Sequence, residues 1–247
     1  MKNLKLAAVC LSCLTMTGCS ALNFSVEGLI NAPKLTSEQS EIHQALIESV
    51  GSNITLKYPK NGEYRSAYVI ANIDDEPTDE AMVFYEYTSN GSEEDGLRVN
   101  ILDKDEDGKW YSVKELAGAG TDIDQVIISP MGSNNQTDVF VGYQNLTNDE
   151  KTMEIYSYTD GDFKRVALDT YSVLEPLDIN NDGYIELITI QRSTNNDTGA
   201  VTAKASMLNM KNNEITRGEN VDMCDNVTSY VSVSYTHLRA HETRGNL

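Results

Sequence analysis

The run Leu177-Asp178-Ile179-Asn180-Asn181-Asp182-Gly183-Tyr184-Ile185-Glu186 passes directly into Leu187-Ile188-Thr189-Ile190. This junction of an acidic loop with a β-branched, apolar segment constrains the fold more than any other stretch. Asp178, Asn180 and Asp182 stand at alternate positions ahead of Gly183, a spacing that folds three side-chain oxygens around one point, as a hard cation requires. Glycine suits the sharp turn after the third of them. An EF-hand would place a bidentate Glu at the twelfth loop position, which is Thr189, and would flank the loop with helices. Here strand-forming residues follow at once. Glu186, at the ninth position, is the better fourth side-chain ligand, with the Tyr184 carbonyl as a fifth. An Asx-rich hairpin loop that only turns the chain uses the same residue types.

Degenerate copies of the loop precede it. Asn72-Ile73-Asp74-Asp75-Glu76 overlays Asp178 to Asp182 without a gap, with Pro77 in place of Gly183. A middle copy, starting Pro130-Met131-Gly132, has lost its acids. Aligned on Glu80, Asp138 and Glu186, the copies lie 58 and 48 residues apart. Periods near fifty with four strands apiece are those of propeller blades. The pattern D-x-N-x-D-G-x-x-E followed by a strand resembles the calcium loop of FG-GAP/VCBS-type repeats. In that family each repeat forms one blade of a β-propeller, and the loop joins two strands of the blade. The resemblance implies Asp178, Asn180, Asp182, Tyr184 (through its carbonyl) and Glu186 as calcium ligands.

The expected fold is all-β, a partial, truncated β-propeller of about three four-stranded blades preceded by a signal peptide, a tether and one short helix. The helix spans 36–51: Thr36 or Ser37 can cap it, Ile42, Ala45, Leu46 and Val50 form one apolar stripe, and Gly51 ends it. His43 lies off the stripe and reads as solvated. From residue 52 to 232 the period is two, with repeats over 65–116, 122–168 and 172–218 and a fourth begun at 226. Tight turns are expected at Asp107-Gly108, a type I′ signal, and at Asp160-Gly161 and Asn212-Asn213. Asp103-Lys104-Asp105-Glu106-Asp107-Gly108 repeats the D-x-D-x-D-G spacing. It sits in a hairpin turn between lysines, with Tyr111 at the ninth position, and reads as solvated. Trp110 reads as a packing residue.

Both ends are distinct. Lys2 and Lys5, an apolar run to Met16 and Thr17-Gly18-Cys19 resemble a lipoprotein signal peptide with its lipobox. The resemblance implies cleavage after residue 18, a diacylglycerol on Cys19, a tether over 19–35 and a place on the bacterial cell surface, extracytoplasmic and membrane-anchored by lipid. Cys10 and Cys13 then leave with the signal and Cys224 stands alone, so no disulfide framework or zinc site can be built. Residues 233–247 break the alternation and resemble translated sequencing-adapter sequence rather than evolved protein. His237 and His241 therefore receive no function, and the natural chain is expected to break off near Ser232.

Nineteen Lys and Arg against 38 Asp and Glu leave a net charge of −19. That excludes nucleic acid as a partner, since binding it needs a basic surface. No G-x-S-x-G, H-E-x-x-H or Gly-rich phosphate loop is present. The expected function is a surface-anchored binding or scaffold module for a protein or glycan, with a structural calcium loop. The alternatives are a calcium-dependent propeller enzyme acting on polysaccharide and a plain structural spacer.

Overall fold

A computed structural model describes residues 35–88, 96–132, 136–145, 150–194, 197–211 and 214–225. The signal peptide, Cys19, nearly all of the tether, the Asn212-Asn213 turn, the strand expected from 226 and the 233–247 tail lie outside the described residues. The chain divides into Met1–Ser40 and Glu41–Leu247, and every described strand belongs to the second unit.

Helix α1 spans Ser37–Val50. Thr36 is its cap: the Gln39 N–H donates to Thr36 Oγ1, and the Thr36 N–H donates to Gln39 Oε1, both at 3.1 Å. This reciprocal box satisfies two donors that a bare helix start leaves open. Gly51 closes the other end at φ +85°, a left-handed conformation that costs glycine nothing. Ile42, Ala45 and Leu46 are buried as the stripe requires. Thr36→Ala should cost about 1 kcal/mol and lower the thermal midpoint by roughly 2–4 °C. An unchanged melt of the full chain would show that the box carries no stability.

Fourteen strands follow among the described residues, all antiparallel. In the first sheet β1 (Ile54–Leu56) and β2 (Tyr68–Ala71) lie in succession along one side of β3 (Glu80–Tyr87). β4 (Leu97–Lys104) and β5 (Trp110–Ala117) continue on its other side. The second sheet is the meander β6 (Asp122–Ser129), β7 (Asp138–Gln144), β8 (Lys151–Thr159) and β9 (Asp162–Tyr171). The third orders β10 (Val173–Leu177), β11 (Glu186–Thr194), β12 (Val201–Lys211) and β13 (Glu214–Arg217), and β14 (Val221–Asp225) lies beyond β13 along the same side of β12. The described residues are thus mostly β, with three antiparallel sheets and one helix. The described residues form no closed propeller.

Strand alternation decides what each face meets. In β3, Ala81, Val83 and Tyr85 face α1, together with Trp110, whose packing role is met by near-complete burial. Met82 and Phe84 face the second sheet, against Val139, Val141 and Tyr143 of β7. From the other face of β7, Phe140 joins Met153, Tyr171, Leu187 and Leu208 in a core between the second and third sheets. Each fully buried large apolar side chain contributes roughly 1.5–3 kcal/mol. Helix and sheets therefore stack in sequence order, each sheet buried on its neighbour.

Three expectations need correction. The Asp107-Gly108 turn is not type I′, because only Gly108 takes a positive φ, +78°. Asp105 Oδ1 instead collects the N–H groups of Asp107 and Lys109, and the Gly108 N–H donates to the Asp105 carbonyl. The turn at Asp160-Gly161 does have both residues at positive φ, 55° and 74°, the mirror-image geometry that matches strand twist. His43 is not solvated: its Nδ1 lies 2.8 Å from the Tyr68 hydroxyl, half-buried beside the stripe. The third repeat also runs on past 218, since β14 pairs with β12 in the same sheet.

Candidate functional site

Each sheet joins its first and second full strands through an eight-residue loop: 72–79, 130–137 and 178–185. The residue that opens the second strand is an acid in all three, and it does the same thing each time. Glu80 Oε2 accepts the Ile73 N–H at 2.7 Å, Asp138 Oδ2 accepts the Met131 N–H at 3.0 Å, and Glu186 Oε2 accepts the Ile179 N–H at 2.9 Å. The partner is always seven residues back. A side-chain carboxyl oxygen thereby clasps the base of the loop shut by accepting a backbone N–H.

The clasps differ in burial. Glu80 and Asp138 are each 1% exposed, and their N–H partners Ile73 and Met131 are buried too. Ser157 donates its hydroxyl to Asp138 Oδ1, and the Gly132 N–H also favours the charged form. Burial outweighs both and pushes the Asp138 carboxyl up. Glu186 is half-buried and Ile179 is 49% exposed. The third clasp is the most open of the three.

The third loop, together with Glu186 at the head of β11, holds every residue expected to ligate calcium. Asp178, Tyr184 and Glu186 are half-buried, whereas Asn180 and Asp182 are exposed. Asp178 accepts the N–H groups of Asp182 and Gly183 on its two carboxylate oxygens, at 3.1 and 3.0 Å. Asn180 Oδ1 accepts the Asp182 N–H and Asp182 Oδ1 accepts the Tyr184 N–H, both at 2.9 Å. The Asn180 amide donates to Glu186 Oε1 at 3.2 Å. Asn181 and Gly183 take positive φ, 59° and 90°, so the expected sharp turn at Gly183 is present. The donor set is all hard oxygen, the chemistry calcium takes, and each carboxylate oxygen bonded to an N–H keeps a second lone pair. Among the described residues no three His, Cys, Asp or Glu side chains are gathered as a metal cluster. In the 72–79 loop the Glu76 N–H donates to Asp74 Oδ1, the bond that Asp182 and Asn180 make at the matching positions.

A second polar centre escaped sequence reading. Asp124, 1% exposed, accepts the Asn61 amide and the Lys151 ammonium on Oδ1 and the Tyr171 hydroxyl on Oδ2, at 2.8, 2.8 and 2.6 Å. It ties the segment ahead of β2 to β6, β8 and β9. The available signal was the acid pair Asp122 and Asp124 bracketing Ile123. A bulge between Ile123 and Gln125 hides it by interrupting the alternation. Nearby, a cavity of about 330 Å³ opens between Tyr64, β6 at Gln125 and β10 at Glu175.

No helix among the described residues is long and apolar enough to cross a membrane. No protein-family model, no curated protein and no solved structure matches this chain.

Proposed function

We propose that this chain is a surface-anchored binding or scaffold lipoprotein of the FG-GAP/VCBS kind. In this reading its sheets serve as propeller blades and its 178–185 loop takes up calcium as a structural ion. The observation that carries the proposal is the threefold recurrence of one device: an eight-residue loop, an acid at the head of the next strand, and the N–H seven residues back on that acid. Only the third copy combines the device with Asp178, Asn180 and Asp182 at alternate positions and a glycine turn. At the two buried clasps, Glu80 and Asp138, packing already holds the base of the loop. At the open one an ion shared by several oxygens would stiffen what packing leaves loose, a structural rather than a catalytic part. The anchor rests on the Met16-to-Cys19 lipobox, and the partner is a protein or glycan.

Calcium titration of the full chain, followed by heat unfolding, tests the proposal. At a hundredfold excess over Kd the ion should add about 2.7 kcal/mol, raising the midpoint by on the order of 5–10 °C. Chelator should reverse the rise, and Asp178→Ala with Asp182→Ala should abolish it. No shift at millimolar calcium would reduce the loop to a hydrogen-bonded turn.

A further inference from the structure

Among the three clasps one is unfinished. Asp138 has donors on both carboxylate oxygens, and Glu186 has one on each of its own. Glu80 uses only Oε2. Its Oε1 is buried with no hydrogen-bond partner, on a side chain 1% exposed. The charged groups acting on it are both acids, Asp74 from its own loop and Asp103 from the end of β4. Asp75 and Glu76 stand exposed on the same loop. Tyr158 of β8 and Tyr111 of β5 look onto the same acids.

A buried oxyanion with one donor and two like charges beside it is costly, and a proton on the free oxygen removes the charge. We propose that Glu80 is a proton-operated latch on the 72–79 loop: closed with the carboxyl protonated and released when the proton leaves. On release the carboxylate moves toward water and the Ile73 N–H is freed. Asp138 and Glu186, with both oxygens bonded, are fixed versions of the same part. Burial first, then Asp74 and Asp103, push the Glu80 carboxyl up to about 7, against the pull of the Ile73 N–H and its own amide. The sign follows from linkage. With the folded value above the ordinary glutamate value of 4.5, the closed loop is favoured in full below that ordinary value, and the advantage is lost as pH rises through about 7.

Amide hydrogen exchange of the full chain, read at Ile73 and Met131 between pH 5.5 and 8.5, is the test. Protection at Ile73, corrected for the intrinsic pH dependence of exchange, should fall tenfold or more, while protection at Met131 holds. Glu80→Gln keeps an acceptor for Ile73 without the charge and should flatten the pH dependence. In case that variant fails to fold, the carbon-13 resonance of the wild-type Glu80 carboxyl reads the titration directly, and Asp103→Asn should move its midpoint down. Constant Ile73 protection in the wild type, or a Glu80 carboxyl that titrates with the surface acids, overturns the latch. So does protection restored at pH 8.5 by millimolar calcium, which would assign the free oxygen to a cation.

Discussion

Gly142→Ala is expected to destabilise the protein by about 3 kcal/mol or more, among the largest effects open to a single added methyl group. A Cβ on Gly142, in the middle of β7, would lie 2.0 Å from the Tyr171 hydroxyl oxygen and 3.2 Å from the Tyr171 and Phe140 rings. Tyr171 has nowhere to retreat. It is fully buried, its ring meets Phe140 at a centroid distance of 6.0 Å, and its hydroxyl donates to Asp124 at 2.6 Å. Making room therefore means shifting β7 against β9 or breaking the Asp124 bond, which leaves a buried acceptor short of one donor. Tyr171→Phe alone should cost only about 1–2 kcal/mol, because Asn61 and Lys151 still serve Asp124. In a urea-denaturation double-mutant cycle the pair should be less damaging than the sum, with a coupling of at least about 1 kcal/mol. Additive losses would mean that the added methyl group and the hydroxyl never meet.

What the sequence made legible was local. The apolar stripe of α1, its cap at Thr36 and the turn at Asp160-Gly161 each follow from residues within a few positions of one another. The acidic loop was legible as a turn with its oxygens on alternate residues, and the alignment of Glu80, Asp138 and Glu186 came from spacing alone. What those acids do was not legible, because the bond to the N–H seven residues back depends on how the loop folds over its strand. Nor was the pairing of β14 with β12, which is set by the edge that β13 leaves uncovered. Asp124 was hidden for the same reason: its three donors come from positions 27 to 63 residues away. His43 was misread because the stripe marks the centre of a helix contact and not its rim, where Tyr68 waits.

The clasps themselves provide the second large effect. Asp138→Ala should cost about 3 kcal/mol, since it strands the buried Met131 N–H and the Ser157 hydroxyl and leaves a small void. Water cannot take over, because Asp138 and Met131 are 1% and 5% exposed. Asp138→Asn should lose much less: its carbonyl can still accept from Met131, and its amide can donate to the Ser157 oxygen. Glu186→Ala removes the same type of bond in the open third loop, where water can replace it, and should cost no more than about 1 kcal/mol without calcium. On the proposed calcium reading the loss should grow, in the presence of the ion, by whatever stability the ion contributes, because Glu186 is one of its proposed ligands. Urea denaturation of the three variants, with and without the ion, reads this order directly. If Glu186→Ala is as damaging as Asp138→Ala in chelator, the third loop is as tightly closed as the second, and its openness cannot be the reason for an ion there.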